Sequence, residues 1–318
     1  IIMNMLCSGG ILHPLIIPSH TGLMNPSLLV DNDKMRINLR QVNYAFYHSE
    51  KNLFHHPFGP LTYIHPEDDI KLRTWNWLLD VDEHYQIIEY TKTDTSKFDT
   101  YEPKWDFVGL EDARLVRWDD KLFQVGVRRD TTTNGQGRME LSEIDENGVE
   151  ISRQRIPTPS ENSYCEKNWM PVLDQPYTFI KWSNPTEIVR YNPKTKKTQQ
   201  LQVVQQNLKF DTRGGSQVVP YGDKYYAITH DVDLFKSDTG RKNAHYTHRI
   251  LVWDKDWNLL GATNRFNFMD GMVEFCTGLA FHRNKVLMTF GFQDNAAYLF
   301  EMEHNNFMEF IDENSITN

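Results

Sequence analysis

Short apolar runs separated by polar turns recur along the whole chain, and they determine the expected fold. The runs are rich in β-branched and aromatic residues, and few windows show the i, i+3, i+4, i+7 apolar spacing of an amphipathic helix. Strands bounded by Gly, Pro, Asn and Asp produce this pattern. The sequence therefore predicts an all-β protein.

Five stretches share one form: a polar or small start, a strand, a tight polar turn, and a second strand with a polar end. They are residues 25–44, 107–130, 167–183, 214–232 and 276–294, with turns near positions 32, 119, 174, 222 and 283. Three of the intervals between turns, about 55, 48 and 61 residues, suit a four-stranded blade with its loops. This repetition predicts a five-bladed β-propeller, with residues 1–318 forming a single domain.

The first interval, about 87 residues, is longer than the others and predicts an insertion around residues 50–105. Its aromatic segment "RTWNWLL" is the expected contributor to acceptor specificity. A two-sheet sandwich is the alternative architecture, but it gives no reason for polar residues at both ends of every unit.

A propeller explains these polar ends, because the start of one strand and the end of the next lie on one edge of an antiparallel hairpin. The innermost strands begin at the mouth of a central funnel, so their ends should converge there. The strand starts are Asn25, Glu111, Asp112, Lys167, Asn168, Gly214, Gly215 and Thr277. The strand ends are Arg40, Arg128, Lys181, His230 and Asp294. A funnel of five blades has room for one or two sugar rings.

The composition is that of a globular protein, with 39% hydrophobic and 24% charged residues. Eight Trp, fourteen Tyr and eighteen Phe suit sheet packing, and they also suit stacking on sugar rings. The net charge of −9 argues against a nucleic-acid partner, because a surface that follows phosphates must be basic. A local basic pocket for one phosphate is still compatible with it.

Cys7, Cys165 and Cys276 are odd in number and far apart, so they predict neither a disulfide framework nor a CxxC metal pair. This favours a reducing, cytoplasmic location. The apolar N-terminal stretch is interrupted by Gly, His and Pro, and predicts neither a membrane span nor a targeting signal. The sequence is compatible with an oligomer but does not indicate one.

The polar positions combine one well-placed acid with several hydrogen-bond donors. Arg114 lies two residues after Asp112, so on a strand both side chains would point to the same face. Each candidate taken alone is compatible with a structural role. Together, Arg, Lys, His and Tyr donors beside an acid predict a pocket for an oxyanion such as phosphate next to a polyol. The sequence lacks metal-ligand spacing, GxSxG, a Walker loop and GxGxxG, so no metal and no bound cofactor are expected.

The order of these motifs resembles that of the five-bladed propeller enzymes of glycoside hydrolase family 130 and the related family 108 glycosyltransferases. The matching elements are "GLEDARL" (109–115), "GRMELSEI" (137–144), "EKNWMPV" (166–172), "RGGSQVVP" (213–220), "YYAITHD" (225–231) and "EFCTGLAFHRNKVLMTFGFQD" (274–294). Two departures are Ala113, where the family has Pro, and Asp231, where the family has Gly. The resemblance spans roughly residues 25–302.

The resemblance implies inverting chemistry at a β-mannosidic or similar linkage, with Asp112 as the general acid, in the family sometimes acting through a sugar hydroxyl. In the reverse direction a sugar 1-phosphate donates its glycosyl group and Asp112 is the base. Phosphate-binding roles are expected for Arg138, Lys167, Arg213, His230 and Tyr246. Substrate-binding roles are expected for Arg40, Asn43, Glu111, Arg114, Asn168, Trp169 and Asp294. Inorganic phosphate, a sugar phosphate or a nucleotide sugar would be the co-substrate, and a carbohydrate the partner.

Two alternatives stay open. A hydrolase, or transfer from a sugar nucleotide, would use the same fold; hydrolysis needs a second carboxylate about 6.5–9.5 Å from the first, for which Asp231, Glu274 and Asp294 are candidates. A non-catalytic glycan-binding propeller would instead use aromatic platforms, for which the candidates are Trp75, Trp77, Trp169 and Trp182.

Overall fold

The protein is a five-bladed β-propeller, as the repeat predicts. The computed structural model describes residues 2–19, 22–48, 61–159, 163–236 and 242–316. Each blade is built on a four-stranded antiparallel sheet whose first strand lies next to the central axis. The predicted all-β class is confirmed, with one α-helix at the C-terminal end.

The strands and helices follow the chain blade by blade. The N-terminal segment contains β1 (Met3–Asn4), a 3-10 helix (Met5–Ser8) and β2 (Ile11–Pro14). Blade 1 and its connections contain β3 (Leu23–Asp31), β4 (Lys34–Val42), β5 (Ala45–His48), β6 (Leu61–Ile64), β7 (Leu72–Val81), β8 (Ile87–Lys92) and β9 (Phe107–Val108). Blade 2 contains β10 (Glu111–Trp118), β11 (Lys121–Arg128), β12 (Arg138–Ile144) and β13 (Glu150–Arg155). Blade 3 contains β14 (Met170–Pro171), β15 (Thr178–Trp182), β16 (Thr186–Asn192) and β17 (Lys197–Val204). Blade 4 contains β18 (Val219–Tyr221), β19 (Lys224–Lys236), β20 (Lys242–Trp253), β21 (Leu259–Ala262) and β22 (Phe266–Asn267). Blade 5 contains β23 (Glu274–His282), β24 (Lys285–Phe292) and β25 (Ala296–Glu303), and α1 (His304–Glu313) follows it.

The five inner hairpins turn where the sequence predicts. Tight hairpin turns need residues with positive φ, and Asn, Asp and Gly adopt that conformation most readily. In blades 1, 2, 4 and 5, positive φ values occur at Asn32 and Asp33, at Asp119 and Asp120, at Gly222, and at Arg283 and Asn284. The connection between β14 and β15 in blade 3 is longer and has a positive φ at Tyr177. Local turn chemistry therefore fixes the register of the four tight hairpins.

The ring is closed by the N-terminal segment. β2 pairs antiparallel with β25 and is the fourth strand of blade 5, so the first and last parts of the chain share one sheet. His13 and Glu301 reinforce this pairing at 3.0 Å. β1 adds to blade 4 by parallel pairing with β22.

The segment that the spacing assigns to an insertion is partly a blade strand. Leu72–Val81, which carries "RTWNWLL", is β7 and pairs with β4 along eight residue pairs. The aromatic segment is therefore the third strand of blade 1 rather than an inserted loop. Part of the extra length lies in the two-stranded sheet of β5 and β6, and residues 49–60 lie outside the described residues.

A buried amide closes the axis of the propeller. The side chain of Gln217 is fully buried, and its Nε2 atom lies 3.1 Å from Ser27 Oγ, 2.8 Å from the Leu28 carbonyl and 3.0 Å from the Leu115 carbonyl. Its Oε1 atom accepts a hydrogen bond from the Leu279 amide at 3.1 Å. Gln217 thus ties blade 4 to blades 1, 2 and 5.

Candidate active site

All five blades contribute to a pocket at one end of the axis. Its volume is about 200 Å³, which suits one sugar ring with its hydroxyl groups. Nine of the predicted site residues line it: Arg40, Glu111, Asp112, Lys167, Asn168, Arg213, His230, Tyr246 and Asp294. The other lining residues are Met24, Asn25, Tyr44, Phe107, Arg129 and Phe275.

Strained strand starts direct side chains into this pocket. Asn25 and Asp112 lie near the start of the inner strands of blades 1 and 2, and Asn168 lies two residues before that of blade 3. Their φ values are +47°, +51° and +60°. The strand register shifts beside the first two, between Met24 and Ser27 and between Glu111 and Arg114. Asn and Asp tolerate this left-handed conformation better than other residues with a Cβ atom, and such strain clusters at functional sites. A charged residue at the start of a buried strand therefore faces the funnel.

Asp112 is held by two donors from blade 1. Its Oδ1 atom accepts hydrogen bonds from Asn25 Nδ2 at 2.7 Å and from Arg40 NH1 at 2.8 Å, and the side chain is 18% exposed. Burial raises the pKa of Asp112, but the charges of Arg40 and Arg114 and the Asn25 hydrogen bond outweigh it and lower the pKa. Asp112 is thus ionised at neutral pH.

Arg40 is oriented by three further groups. Its Nε atom donates to Thr74 Oγ1 at 3.1 Å and its NH2 atom donates to the Tyr44 hydroxyl at 2.9 Å. Glu111 lies 3.6 Å from the same NH2 atom. The guanidinium is therefore fixed with one edge toward Asp112, as a bracing cation that is itself almost fully buried.

Arg114 forms the floor beneath the pocket. The side chain is fully buried, and burial lowers the pKa of Arg114 to about 10. It donates to the Gly215 carbonyl at 2.8 Å, to the Asp112 carbonyl at 2.7 Å and to Asn168 Oδ1 at 3.2 Å. Arg114 therefore joins the strand starts of blades 2, 3 and 4 and supports the pocket from below, rather than lining it.

Two further carboxyl groups share the pocket with Asp112. Burial raises the pKa of Glu111, with Arg40 opposing the shift and Asp112 adding to it. Burial likewise raises the pKa of Asp294 to about 6, again with Arg40 opposing and Asp112 adding. The three acids around one arginine therefore have pKa values shifted in different directions, lowered for Asp112 and raised for Glu111 and Asp294.

Three cations face the pocket without a carboxylate partner. Lys167 and Arg213 are exposed, and neither makes an ion pair within the part of the chain that the structure describes. Arg129 donates to the Gly135 carbonyl at 3.2 Å and stacks over Phe107 at 5.5 Å. Unpaired cations that converge on a small pocket are suited to an oxyanion.

His230 and Tyr246 present one acceptor and one donor. The Nδ1 atom of His230 lies 2.9 Å from the Gly214 carbonyl, which can only accept, so Nδ1 carries the proton. Burial, together with His248, lowers the pKa of His230 well below its usual range, so the ring is neutral and Nε2 is an acceptor. Burial, aided by Asp294 and Asp112, raises the pKa of Tyr246 to about 12, so its hydroxyl stays protonated.

Three predicted site residues lie away from the pocket. Asn43 donates to Asp69 and to the Lys71 carbonyl, and accepts from the Arg73 amide, so it fixes the start of β7. Trp169 is only 1% exposed and donates to Glu166 inside blade 3.

Arg138 is the third, and it donates to the carbonyls of Gly137, Ser163 and Tyr164. Two predicted strand ends also stay outside: Arg128 pairs with Glu140, and Lys181 lies between Glu166 and Glu187.

Sequence reasoning passed over Arg129 as a pocket cation. Arg129 follows Arg128 in "GVRRD" at the end of β11, and successive side chains at a strand end point in opposite directions. The sequence pattern allows either arginine to face the pocket. It does not indicate that Arg128 pairs with Glu140 inside blade 2, which leaves Arg129 as the pocket cation. Nothing in the sequence distinguishes Tyr44 and Phe275 as pocket residues, because aromatic residues recur throughout the chain.

Of the three candidates for a second acid, only Asp294 lines the pocket. Asp231 pairs with Arg249 at 2.8 Å within blade 4. Glu274 accepts three backbone hydrogen bonds, from Phe268, Met269 and Gly271, and therefore stabilises the loop before β23.

A larger cavity of about 370 Å³ lies between blades 1 and 2, separated from the pocket by the segment 108–111. Its buried charges are already paired. Arg128 binds Glu140 at 2.8 Å, and Asp130 accepts from the Tyr101 hydroxyl and the Gly109 amide. We therefore assign the axial pocket, whose cations lack partners, as the candidate active site.

Within the described ranges, no group of three or more His, Cys, Asp or Glu side chains is arranged to hold a metal ion. The same residues include no helix with the length and apolar character needed to cross a membrane.

No protein-family model and no curated protein sequence matches this chain. Solved structures do match. A β-1,2-mannobiose phosphorylase from Listeria innocua, solved with β-1,2-mannobiose, is 12% identical, with 95% of this chain and 97% of that chain covered and a TM-score of 0.58. A mannose phosphorylase from Leishmania mexicana, solved with a phosphate ion, is 11% identical, with 94% and 88% covered and a TM-score of 0.53.

A third match belongs to work on the GH130 family of mannoside phosphorylases, described as containing glycoside hydrolases that target β-1,2-mannosidic linkages in Candida mannan. It is 11% identical, with 90% of this chain and 85% of that chain covered and a TM-score of 0.55. At these identities the likeness is one of fold. The resemblance stated from the motifs is thus confirmed at that level, and the chain has the five-bladed propeller fold of the GH130 mannoside phosphorylases.

Proposed function

We propose that this protein is a carbohydrate-active enzyme that performs inverting glycosyl transfer, with phosphate or a sugar phosphate as co-substrate. The observation that carries the proposal is the position of Asp112, an ionised acid held by Asn25 and Arg40 in a pocket with three unpaired cations. The fold shared with mannoside phosphorylases supports the same class of reaction.

In the direction of transfer, the pocket would hold a sugar 1-phosphate with its phosphate near Lys167, Arg129 and Arg213. The bond between the anomeric carbon and the phosphate oxygen breaks, and the phosphate leaves with the bonding electrons. An acceptor hydroxyl forms the new bond from the opposite face and gives its proton to Asp112. The lowered pKa of Asp112 keeps its carboxylate ionised, so that it is free to accept this proton.

In the reverse direction, phosphate attacks the anomeric carbon and the bond from that carbon to the leaving oxygen breaks. Asp112 enters this step in its protonated form and gives the proton to the leaving oxygen. His230 and Tyr246 would bind the phosphate in complementary ways. The neutral Nε2 atom of His230 accepts from a P–OH group, and the Tyr246 hydroxyl donates to a P–O⁻ oxygen. This pair favours the monohydrogen phosphate ion, which carries one proton.

Hydrolysis is the second candidate, because Asp294 places another carboxyl group in the same pocket with a pKa of about 6. A glycan-binding protein without catalysis has less support. None of the four tryptophans considered as platforms lines the axial pocket, and Trp169 is buried.

Incubation with β-mannosides, with and without phosphate, tests the proposal. Formation of a sugar 1-phosphate only when phosphate is present supports it, whereas release of free sugar at the same rate without phosphate supports hydrolysis. Asp112→Asn should abolish transfer and leave the fold intact, and full activity of this variant would overturn the assignment of Asp112.

A further inference from the structure

The cavity between blades 1 and 2 is separate from the axial pocket, and the proposed function makes no use of it. Its volume of about 370 Å³ compares with about 200 Å³ for the axial pocket. Small-molecule sites in proteins typically have volumes of about 300–1,000 Å³. β7 and the segment after β8 form one wall of the cavity, and β11, β12 and β13 contribute to the other. The space between the two blades is therefore sufficient for a small ligand.

The charged side chains around the cavity already have partners. Arg73 binds Asp69 at 2.7 Å and Arg128 binds Glu140 at 2.8 Å, so both arginines that line the cavity are paired with carboxylates. The buried carboxylate of Glu150 is bound by an arginine of β13 at 2.6 Å. A phosphate ion would lose its hydration here without gaining a free cation. The cavity therefore suits an uncharged ligand, unlike the axial pocket.

Gln124 presents an open hydrogen-bond acceptor to the cavity. Its side chain lines the cavity and is only 1% exposed. Its Nε2 atom uses both hydrogens, donating to Asn38 Oδ1 at 2.7 Å and to Thr93 Oγ1 at 2.9 Å. Its Oε1 atom accepts from no donor among the residues that the structure describes. Because a buried amide oxygen without a donor is costly, a ligand that donates to it gains affinity.

A chain of side-chain amides fixes the orientation of Gln124. Asn38 Nδ2 donates to Asn76 Oδ1 at 3.0 Å, and Asn76 Nδ2 donates to the Leu110 carbonyl at 3.0 Å. Since a carbonyl can only accept, the direction of the whole chain is set, and its open end is the oxygen of Gln124. The other end lies two residues before Asp112. The open acceptor is thus part of the network that joins blades 1 and 2.

Two buried threonines supply donors to the same cavity. Thr93 and Thr74 line it and are 7% and 6% exposed. Thr93 Oγ1 accepts from Gln124, and Thr74 Oγ1 accepts from Arg40. Neither hydroxyl hydrogen has an acceptor within the described ranges of the chain. A hydroxyl donor next to an amide oxygen matches a ligand whose groups both accept and donate, which is the property of an alcohol.

Aromatic rings complete the wall of the cavity. The Tyr101 hydroxyl donates to Asp130 Oδ1 at 2.7 Å, which fixes the ring, and Tyr101 is 38% exposed. Trp75 also lines the cavity and is partly exposed. Aromatic rings give large apolar contact area, on which the C–H faces of a cyclic polyol pack. Polar groups deep in the cavity and rings nearer the solvent together suit such a ligand.

We propose that the cavity between blades 1 and 2 is a second ligand site, which binds a neutral polyol of the size of a monosaccharide or a cyclitol. Gln124 Oε1 accepts from one ligand hydroxyl, the Thr93 hydroxyl donates to another, and Tyr101 packs against the ring. Binding at this site requires no glycosyl transfer, so the proposal is independent of the proposed function.

Calorimetric titration of the full chain with three neutral probes tests the site: methyl α-D-mannopyranoside, methyl β-D-glucopyranoside and myo-inositol. At least one probe should bind, and Tyr101→Ala should weaken its binding about fivefold or more. Tyr90→Ala is the matched control, because Tyr90 lies on β8 of blade 1, is 45% exposed and does not line the cavity. It should leave the affinity within about twofold. Thr93→Val, which removes the hydroxyl and keeps the branched shape, should weaken binding as Tyr101→Ala does.

A probe bound in the axial pocket gives a different result. Asp112→Asn would then weaken its binding, whereas binding at the cavity should persist in Asp112→Asn and stay unchanged in saturating inorganic phosphate. The proposal is overturned if no probe binds, or if Tyr101→Ala and Thr93→Val leave the affinity unchanged. Should Tyr101→Ala fail to fold, Thr93→Val alone decides.

Discussion

The side-chain amide of Asn25 lies 2.7 Å from Oδ1 of Asp112 and donates a hydrogen bond across the boundary between blades 1 and 2. Both residues have positive φ, and both lie near the start of the innermost strand of their blade. Asn25 is 3% exposed, and its Oδ1 atom has no hydrogen-bond partner among the described residues. The hydrogen bond that orients the Asn25 side chain is therefore its donation to the Asp112 carboxylate.

Asn25→Gly should lower transfer activity by roughly ten- to a hundredfold and move the acidic limb of the pH profile upward. Glycine accepts φ of +47° without strain, so the change removes the donor while keeping the backbone. A lost donor destabilises the charged form of Asp112 and so raises the pKa of Asp112. The measurement is kcat/KM between pH 3 and 8, because the acidic limb of the unmodified protein lies below the usual pKa of an aspartate.

Asn32→Gly is the matched control for this prediction. Asn32 has a φ of +48° and lies exposed in the turn of the same hairpin, away from the pocket. Its replacement should leave the profile unchanged. A profile of Asn25→Gly that keeps the original acidic limb would show that Asn25 does not set the ionisation of Asp112.

Gly291→Ala should disturb the hydrogen bond between Asn25 and Asp112 by displacing Asn25. A Cβ atom at Gly291 would lie 2.0 Å from Asn25 Oδ1 and 2.8 Å from the Asn25 backbone nitrogen. Both strands must shift to accommodate it, so the free energy of unfolding should fall by about 1–3 kcal/mol and activity should fall with it. Gly261→Ala, where a Cβ atom meets nothing within 4 Å, should change the unfolding free energy by less than about 0.5 kcal/mol. Urea unfolding of both variants checks this, and equal stability would contradict it.

The repeat of polar-ended hairpins is enough to predict the fold, because turn chemistry and strand alternation are local properties. An Asp-Asp pair between two apolar runs predicts a turn, and the structure has a turn at Asp119 and Asp120. The closure of the ring is not local. β2 and β25, which pair with each other, are separated by almost the full length of the chain. No pattern in the β2 sequence "ILHP" specifies that partner.

The pocket was predictable to the extent that strand ends determine it. Asp112, Arg40 and Asp294 lie at such ends and meet at the axis. Which of two neighbouring polar residues faces the axis depends on bulges and on buried partners. Arg128 is drawn into blade 2 by Glu140, and Trp169 turns into blade 3 toward Glu166.

Asp294→Asn should stabilise the protein at neutral and alkaline pH. The pKa of Asp294 rises from 3.8 to about 6 on folding, so the folded state binds its proton more tightly than the unfolded state does. Stability is therefore lost as pH rises from about 4 to about 6, and the loss is constant above that. Asparagine carries no such penalty and should add about 1–2 kcal/mol at pH 8, since the partly exposed side chain feels only part of the shift.

Thermal or urea unfolding at pH 4 and pH 8 measures this effect. The gain of Asp294→Asn should shrink toward zero at pH 4, whereas Asp223→Asn in the exposed β18–β19 turn should show no such dependence. A gain that is the same at both pH values would mean that ionisation of Asp294 is not its source.

Gln217→Leu should lower stability by about 3 kcal/mol and leave the chemistry largely intact. The change keeps the volume of the side chain. It leaves the Leu28 and Leu115 carbonyls without the donor that Gln217 supplies, and the Leu279 amide without its acceptor. Buried backbone groups left without partners each cost about 1–3 kcal/mol. Gln217 does not line the axial pocket, so kcat at a temperature well below the unfolding midpoint should stay within about threefold.

The exposed Gln202 on β17 gives the control for Gln217, because Gln202→Leu changes the same atoms without breaking a buried network. Urea unfolding should then separate the two variants by most of the predicted difference. If Gln217→Leu is as stable as Gln202→Leu, the blades are held together by their apolar interfaces alone. If instead Gln217→Leu keeps its stability but loses kcat, the axial amide controls the strand starts that carry Asp112, and its role belongs to the pocket rather than to the ring.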